Sequence, residues 1–445
     1  SIPGILNQDG SPPAYYLLLG LWIRLFGDGE QATHTLSLLF GLGCIPLAFF
    51  AARSLFGRRA AFIAAVLAAF DPFLTYYAQE TRMYELEAFV SLLVAWAYVN
   101  GVLRGRTWWA VGLVPAIALM VYTHNWALFF CVGLAVATVV AARERLKLFA
   151  LVAGGVALLY LPWVPTVLGQ IRHTGAPWSS SPSLHQLINA PGGVLGGDAA
   201  LAAIVLAAGG ALIVRVRDRI ILALLVMVEV TVLCAWLSSQ LSPAWTTRYF
   251  AVVLGPVLLL AARGLDRAGR LGLAGIVVVL FLWSGYNLHD DKEDAQQVAA
   301  GVSQYMHPGE LVVSTHPEQV PVLRYYLGPG YRFRTTMGAV PDQQIFDWRD
   351  AVDRLKGSDQ RRQVDAAVAA TPVGGEFVVI SPLFRDYRAW DAKWTKLVWQ
   401  TSTAYTGLLG SDPRVRLVHH VVPNEIALQR NYFKPMQAFV YRRLR

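Results

Sequence analysis

Residues 107–142 read TWWAVGLVPAIALMVYTHNWALFFCVGLAVATVVAA, a block of 36 residues that contains no Asp, Glu, Lys or Arg. One helix needs about 20 apolar residues to cross the roughly 30 Å hydrocarbon core of a bilayer, so the block is long enough for two short crossings. It is interrupted once, by the polar point Thr123-His124-Asn125. We therefore interpret it as two membrane spans, 107–123 and 125–142, joined by a tight turn.

Apolar runs of similar length lie on both sides of this block, and with it they make ten predicted spans: 34–53, 60–78, 83–103, 107–123, 125–142, 148–168, 199–215, 219–238, 249–264 and 271–288. Of the 445 residues, 55% are hydrophobic and 15% are Asp, Glu, Lys or Arg. A soluble domain is about 45–50% apolar and about 25% charged. The composition excludes disordered, fibrous and disulfide-stapled chains and predicts a multi-pass α-helical membrane protein.

The formal net charge of +9 does not indicate a nucleic-acid partner. Residues 1–288 hold 18 Lys and Arg against 12 Asp and Glu, and residues 289–445 hold 20 against 17. Because neither part contains a dense basic stripe, nucleic-acid binding is not expected. Cys44, Cys131 and Cys234 all lie in apolar runs and lack the spacing of disulfides or metal ligands, so they are interpreted as small core residues.

Basic residues alternate between the loops, and this alternation predicts the orientation. Over the N-terminal segment and the loops between spans, fourteen Lys and Arg lie in one alternate set and four in the other. Because positively charged loops stay in the cytoplasm, the richer set is predicted to be cytoplasmic. Residues 1–33, the loop 169–198 and everything after 288 are then predicted to face outward from the cell membrane.

The N-terminal segment Pro12–Gly27 is strongly apolar but is broken by Arg24. A crossing here would reverse the charge alternation, so we predict an interfacial helix on the outer surface instead. Before it, Ser1–Gly4 is predicted to be an extended loop, and no leader sequence is visible. We expect that an upstream first span is missing from the chain.

The amino-acid composition changes at residue 289, where charged residues become frequent. Short β-rich runs at 310–314 and 376–381 alternate with helical stretches at 294–306 and 318–327. The sequence therefore predicts two domains: a transmembrane domain over 1–288 and an extracytoplasmic α/β domain over 289–445.

Ionisable groups from four segments gather at the predicted outer boundary of the membrane. They are Asp9; Glu80, Arg82 and Tyr84, with Glu85 and Glu87; His124; and Arg248 with Tyr249. Two planar guanidinium groups can hold a lipid phosphate, because each pairs with phosphate oxygens through two hydrogen bonds. A carboxylate such as Asp9 or Glu80 can take the proton of an incoming hydroxyl. The imidazole of His124 can bond a sugar or phosphate oxygen.

Each of these residues also has a structural interpretation. Asp9 is suited to capping the helix before Pro12-Pro13. Glu80 and Arg82 are suited to a surface ion pair, and Arg248 to an interfacial anchor. His124 is suited to satisfying backbone groups in its turn, while Glu85 and Glu87 are suited to pointing into the bundle. Glu229, inside the eighth span, is expected to have a partner because a charge in lipid is costly.

Several stretches resemble motifs of one known family. They are Asp9-Gly-Ser-Pro-Pro-Ala-Tyr-Tyr-Leu-Leu-Leu, Leu55-Phe-Gly-Arg-Arg, Pro72-Phe-Leu-Thr-Tyr-Tyr-Ala-Gln-Glu-Thr-Arg-Met-Tyr, Tyr122-Thr-His-Asn-Trp and Arg248-Tyr-Phe-Ala-Val-Val-Leu. The family is that of the polyprenyl-phosphate-sugar-dependent glycosyltransferases of the C superfamily. The nearest branch is that of the protein O-mannosyltransferases and lipid A aminoarabinose transferases. The resemblance covers most of 9–265 in order.

The resemblance implies transfer of a sugar from a polyprenyl-phosphate donor to an acceptor hydroxyl at the outer face of the cytoplasmic membrane, in a single inverting displacement. The acceptor is a protein, a lipid or a polysaccharide. It implies Asp9, or an acid upstream, as the base, and Glu80 and Arg82 beside the donor. Arg82 and Arg248 would stabilise the departing phosphate. The substrate-binding residues would further include Tyr84, His124 and Tyr249.

Some relatives use a divalent metal, but this sequence has no clear set of His, Asp and Glu ligands, and no cofactor is expected. Two other functions compete with the enzyme. A transporter or flippase of lipid-linked sugars would need polar groups near the bilayer midplane and often an inverted repeat, whereas here the charges gather at one face and no internal repeat is found. A non-catalytic envelope assembly protein would have no need for Asp9, Glu80 and Arg82.

Overall fold

The computed structural model describes residues 2–214, 217–286, 295–383, 392–422 and 436–445. It divides into two compact units. The first comprises Ser1–Leu6, Ser11–Leu168 and Ser181–Leu288, and the second comprises Asn7–Gly10, Gly169–Ser180 and His289–Arg445. The domain boundary predicted between 288 and 289 lies outside the described residues.

The first unit is helical. The helices that lie wholly or partly in it are α1 Ile2–Asp9, α2 Ala14–Phe26, α3 Glu30–Phe56, α4 Arg58–Phe70, α5 Pro72–Tyr77, α6 Tyr84–Tyr98, α7 Thr107–Thr123, α8 Ala127–Ala141, α9 Leu146–Tyr160, α10 Val164–His173, α11 Leu184–Ile188, α12 Ala190–Val194, α13 Asp198–Ile213, α14 Arg219–Leu241, α15 Ala251–Arg267 and α16 Arg270–Ser284. A π-helical turn, Val99–Leu103, continues α6. Three 3₁₀ turns occupy Arg143–Arg145, Leu161–Trp163 and Thr247–Phe250.

Among the residues that the structure describes, five helical segments are long and apolar enough to cross a membrane, judged by length and composition: Glu30–Phe56, Tyr84–Leu103, Arg143–His173, Arg219–Leu241 and Thr247–Arg267. Five further apolar helices are shorter: α2, α7, α8, α13 and α16. The predicted multi-pass helical class is confirmed, but the count of ten full spans is not met. The second predicted span, 60–78, is broken at Asp71, whose side chain caps α5 by accepting from the amides of Phe73 and Leu74.

The centre of the first unit is the contact between α15 and α6. All residues of α15 from Ala251 to Leu265 are buried. A Cβ atom at Gly255 would lie 2.4 Å from the backbone of Leu92, so the two helices approach closely only because this residue is glycine. The Gly255 amide also donates to Oγ of Ser91 at 3.0 Å. Small residues at helix contacts are the usual device of membrane bundles, where apolar burial between helices gains little.

Two expectations for the N-terminus are wrong. Residues 2–9 form α1 where an extended loop was predicted over Ser1–Gly4. Asp9 is the last residue of that helix, whereas the cap position of α2 is Pro13, without a side-chain hydrogen bond. Asp9 therefore does not cap α2. The helix predicted over Pro12–Gly27 is present as α2.

The second unit is an α/β domain, as predicted. Its strands are β1 Leu311–Ser314, β2 Arg332–Thr335, β3 Gly338–Ala339, β4 Glu376–Pro382, β5 Val415–Val421 and β6 Met436–Arg443. They form one sheet in the order β3-β2-β1-β4-β6-β5. β2, β1 and β4 are parallel, and the remaining pairings are antiparallel. The helices are α17 Ala295–Val302, α18 Val320–Leu327, α19 Ala351–Lys356, α20 Gln360–Ala370 and α21 Lys393–Gly410, and Pro317–Gln319 forms a 3₁₀ turn.

The sheet of the second unit is covered on both faces. Val312 of β1 belongs to one apolar core together with Leu323 of α18, and its neighbour Val313 belongs to another together with Val368 of α20. Successive residues of a strand point to opposite faces, so a continuous apolar strand is what a doubly covered sheet requires. The predicted strands at 310–314 and 376–381 are β1 and β4.

Candidate active site

Three aromatic rings from three separate segments form the centre of the candidate site, which we call the ring cluster. Tyr84 begins α6, His124 follows α7, and Tyr249 lies in the 3₁₀ turn Thr247–Phe250. The centroids of His124 and Tyr249 are 4.7 Å apart, and Tyr84 lies 6.1 Å from His124 and 6.4 Å from Tyr249. Tyr77 packs on Tyr84 and Trp126 on Tyr249. The fold thus joins residues that are more than a hundred positions apart in the sequence.

Two arginines flank the ring cluster. The guanidinium carbon of Arg82 lies 6.0 Å from the ring centroid of Tyr84, and that of Arg248 lies 5.7 Å from the ring centroid of Tyr249. Each is within reach of a cation–π attraction. The Nε atom of Arg248 is buried, and no described residue accepts its hydrogen bond. Two like charges on one small buried cluster repel each other, so the arrangement is suited to an anion that neutralises both.

The position of Arg82 is set by a chain of hydrogen bonds from α2 and α3. Oγ of Ser37 donates to the backbone oxygen of Arg82 at 3.2 Å. A serine hydroxyl has one hydrogen, so in the 2.8 Å contact with Ser37 the phenol of Tyr15 is the donor. The chain before Arg82 is tightly turned, since its amide donates to the Glu80 oxygen at 2.8 Å. Both helices therefore hold the turn that carries Glu80 and Arg82.

The protonation of His124 follows from its surroundings. Its Nδ1 accepts the backbone N–H of Trp126 at 3.1 Å, so the single proton of the neutral ring is on Nε2. Burial, with the positive charges of Arg248 and Arg82 adding to it, lowers the pKa of His124 to about 3. The ring is therefore neutral near pH 7 and can donate one hydrogen bond from Nε2. Its backbone-satisfying role and a ligand-binding role are compatible.

The carboxyl groups that the sequence singled out in the first unit differ in their burial. Glu80 is half-buried in its turn. Glu85 and Glu87 are completely buried in α6, and none of their oxygens has a hydrogen-bond partner among the residues that the structure describes. Both side chains point into the bundle, in agreement with the structural interpretation of their positions in the sequence. Glu229 lies on the exposed side of α14, and the partner expected for it is not found in the described part of the chain.

The structure does not place Asp9 in the same unit as the other candidates. Asp9 ends α1 and belongs to the second unit, with Asn7–Gly10, while Glu80, Arg82 and the ring cluster belong to the first. A cluster of three or more His, Cys, Asp or Glu that could hold a metal ion is not present among the described residues. Sequence reasoning did not single out Tyr15, Ser37, Tyr77 or Trp126. The aromatic pairs Tyr76-Tyr77 and Tyr15-Tyr16 were the available signal.

Comparison with known proteins gives a family match over part of the chain and a shared fold. Residues 10–168 match the model of the dolichyl-phosphate-mannose-protein mannosyltransferase family. Comparison with curated sequences gives no significant match. ArnT from Cupriavidus metallidurans in the apo state has a TM-score of 0.62 at 16% identity, over 97% of this chain and 87% of ArnT.

Two further solved structures share the fold. ArnT from the same organism bound to undecaprenyl phosphate has a TM-score of 0.61 at 15% identity, over 97% of this chain and 88% of that one. The Archaeoglobus fulgidus oligosaccharyltransferase tethered with an acceptor peptide has a TM-score of 0.55 at 13% identity, over 88% of this chain and 64% of that one. The chain therefore shares the fold of ArnT and of the oligosaccharyltransferase, and its residues 10–168 match the dolichyl-phosphate-mannose-protein mannosyltransferase family, in agreement with the resemblance of its motifs.

Proposed function

We propose that this protein is a membrane glycosyltransferase that moves a sugar from a polyprenyl-phosphate donor to an acceptor hydroxyl. The observation that carries the proposal is the pair of arginines on the ring cluster, with Arg82 on Tyr84 and Arg248 on Tyr249. A guanidinium fork is well matched to phosphate oxygens. A solved structure of the same fold, ArnT, holds undecaprenyl phosphate, which supports the same class of donor here.

The proposed reaction is a single displacement at the anomeric carbon of the sugar. The acceptor oxygen forms a bond to this carbon while its bond to the phosphate oxygen breaks, and the electron pair leaves with the polyprenyl phosphate. Because attack comes from the side opposite to the phosphate, the anomeric configuration inverts. Arg82 and Arg248 stabilise the charge that develops on the leaving phosphate.

The remaining polar groups receive roles that follow from their chemistry. His124, neutral and protonated on Nε2, donates to a sugar or phosphate oxygen. The base that takes the acceptor proton is proposed to be Asp9, which is the acidic residue of the DGSPP motif. Glu80 is proposed to bind on the donor side, next to Arg82. A lipid donor brings its own membrane anchor, which fits a site at the end of apolar helices.

The reaction is proposed to take place at the outer face of the cell membrane, with residues 289–445 extracytoplasmic. The support is the distribution of basic residues between the loops, fourteen against four. Mannose and aminoarabinose are both candidate sugars, since the family match names mannose and the motifs also resemble those of the aminoarabinose transferases. The acceptor hydroxyl belongs to a protein, a lipid or a polysaccharide.

The proposal is tested with purified protein and polyprenyl-phosphate mannose or aminoarabinose, with transfer measured to membrane extracts. Arg248→Lys keeps the charge but loses the planar fork. We expect transfer to fall roughly tenfold or more, which corresponds to about 1.4 kcal/mol of transition-state stabilisation. Arg24→Lys, on an exposed arginine of α2, is the matched control. Unchanged turnover of Arg248→Ala at normal protein levels would make Arg248 an interfacial anchor.

A further inference from the structure

A loop at the other end of α6 concentrates positive charge. We call Arg104, Gly105, Arg106 and the facing Arg145 the basic loop. The Nη1 atoms of Arg104 and Arg106 both donate to Oδ1 of Asn100, each at 3.1 Å. Asn100 is completely buried in the π-helical turn, so it ties both side chains to the helix.

The third guanidinium of the basic loop lies against its glycine. Gly105 has φ of +67°, and a Cβ atom there would be 2.7 Å from Nη2 of Arg145. Glycine is therefore required twice, for the left-handed backbone and for the approach of Arg145. Arg145 therefore lies against the loop that carries Arg104 and Arg106.

The arginines of the basic loop form no salt bridge among the described residues, although Asp218 attracts Arg104 and Glu144 attracts Arg145 over a longer distance. In the described part of the first unit, the ion pairs are Arg59 and Arg263 with Asp266, and Arg219 with Glu144. None of them includes an arginine of the basic loop. Nε of Arg145 is buried and finds no hydrogen-bond acceptor among the described residues. Three arginines that form no salt bridge with a carboxylate are suited to binding an anion with several oxygens, such as a phosphate group.

An apolar groove lies beside the basic loop. It runs between α6 and α7, has a volume of about 200 Å³, and is lined by Leu93, Ala97, Trp108, Trp109 and Gly112. Trp108 is 86% exposed, and a Cβ atom at Gly112 would have no neighbour within 4 Å, so the groove is open to the surroundings of the bundle.

The groove and the basic loop are physically connected. The ring of Trp109 lies 4.7 Å from that of Trp96. The indole N–H of Trp96 donates to Oγ of Ser54 at 2.6 Å, and the backbone oxygen of Ser54 accepts from Arg104 at 3.2 Å. The backbone amide of Trp109 also donates to the oxygen of Arg106. The apolar groove therefore ends at the basic loop.

We propose that the groove and the basic loop together bind a phospholipid with an anionic head group. Its phosphate lies on Arg104, Arg106 and Arg145, and part of an acyl chain lies in the groove. Basic pockets between membrane helices bind anionic head groups, and exposed tryptophan is typical of the membrane interface. This site is distinct from the ring cluster, because the 20 residues of Tyr84–Leu103 separate the two by about 30 Å. It does not rest on the proposed function.

The test compares phosphatidylglycerol, which is anionic, with phosphatidylcholine, which is zwitterionic. The purified protein is mixed with equal amounts of both, and the lipids retained are counted by native mass spectrometry. We expect phosphatidylglycerol to be retained at least about fivefold more, and the double variant Arg104→Gln/Arg106→Gln to abolish this preference. Arg106→Gln alone, at an exposed residue, serves if the double variant does not fold. Arg270→Gln, exposed at the start of α16, is the charge control.

The groove is tested by filling it. Gly112→Leu should reduce retention of both lipids, whereas Gly154→Leu, on α9 and equally open, should not. Equal retention of the two lipids by the unaltered protein would overturn the proposal. So would an unchanged preference in both arginine variants. Displacement of phosphatidylglycerol by inorganic phosphate, together with no effect of Gly112→Leu, would identify a site for free phosphate and overturn it as well.

Discussion

The hydrogen bond from the Trp126 amide to His124 decides what this imidazole contributes. With Nδ1 occupied as an acceptor, only Nε2 can serve a ligand, and it serves as a donor. Burial, with the positive charges of Arg248 and Arg82 adding to it, lowers the pKa of His124 and keeps the ring neutral, so it cannot add a third cation to the site. His124 is therefore a neutral hydrogen-bond donor between two positively charged ones, Arg82 and Arg248.

This buried imidazole should make the folded protein less stable as the pH falls. The pKa of His124 is about 3 in the folded protein, below the ordinary value of about 6.5. The unfolded chain therefore binds this proton first. The free energy of unfolding should fall by up to roughly 1.4 kcal/mol per pH unit below about pH 6.5 until the folded-state pKa is reached.

His124→Gln keeps a hydrogen-bonding side chain without this titration. Unfolding in detergent is measured for both proteins at pH 7.5 and pH 5. We expect the unaltered protein to lose more stability than the variant across this interval. Equal losses would mean that the imidazole is not held neutral by its surroundings.

The two candidate carboxylates are separated by charge-removing substitutions that keep shape. A general base contributes about 10²–10⁴-fold in rate, so Asp9→Asn is expected to abolish transfer at unchanged membrane abundance. Glu80→Gln is expected to weaken transfer mainly through a higher KM for the donor. Transfer is measured on a protein with its natural N-terminus. Full activity of Asp9→Asn would move the base to another residue.

At this scale the sequence predicted which aromatic residues lie together, but not the residues that hold them in place. Tyr84, His124 and Tyr249 were expected together and the structure joins them. The Tyr15 to Ser37 bond could not be foreseen, because it links two helices whose packing no local pattern encodes. The partner expected for Glu229 is not found among the described residues. Whether Glu229 is exposed depends on the rotation of α14 about its own axis, which the local sequence does not determine.

Among the elements, the contact of α15 with α6 leaves no room for a larger side chain at Gly255. Gly255→Ala places a Cβ atom 2.4 Å from the backbone of Leu92, which forces two buried helices apart. We expect a loss of about 1–3 kcal/mol, seen as a lower midpoint of thermal unfolding in detergent.

Gly154→Ala on α9 is the matched control, because its added methyl group meets nothing within 4 Å. It replaces a helix-interior glycine, so a small gain of about 0.5–1 kcal/mol is expected. Similar midpoints for the two variants would show that α15 and α6 can separate without cost.

The hydrophobic runs of the sequence predicted where the helices lie, but they did not predict how long each helix is. The predicted span 60–78 contains the helix break at Asp71-Pro72, where the carboxylate caps α5. Within the second unit the alternation of strands and helices was sufficient for β1, β4, α17 and α18. The antiparallel β5 and β6 were not singled out, since mixed polar and apolar strands resemble loops in sequence.

For the whole molecule, the orientation in the membrane is the prediction on which the rest depends. A reporter active only outside the cytoplasm should be active when fused after Arg445 or inserted near Ser180. Fused near Arg217 it should be silent, because that residue lies in the basic set of loops. The readout is reporter activity in intact cells, normalised to protein level. Activity at Arg217 would contradict both the orientation and the gathering of polar groups at one boundary.

The two helices that meet at His124 are short for a bilayer. α7 has 17 residues and α8 has 15, so they extend about 26 Å and about 22 Å. A hydrocarbon core of about 30 Å exceeds both, which is a hydrophobic mismatch. The bilayer beside them has to thin, or the turn Thr123–Asn125 has to sit beneath the level of the surrounding head groups. Under the proposed function, the arginines would meet the donor phosphate in a local depression of the membrane, where a long-chain donor need not be lifted out of the leaflet to react.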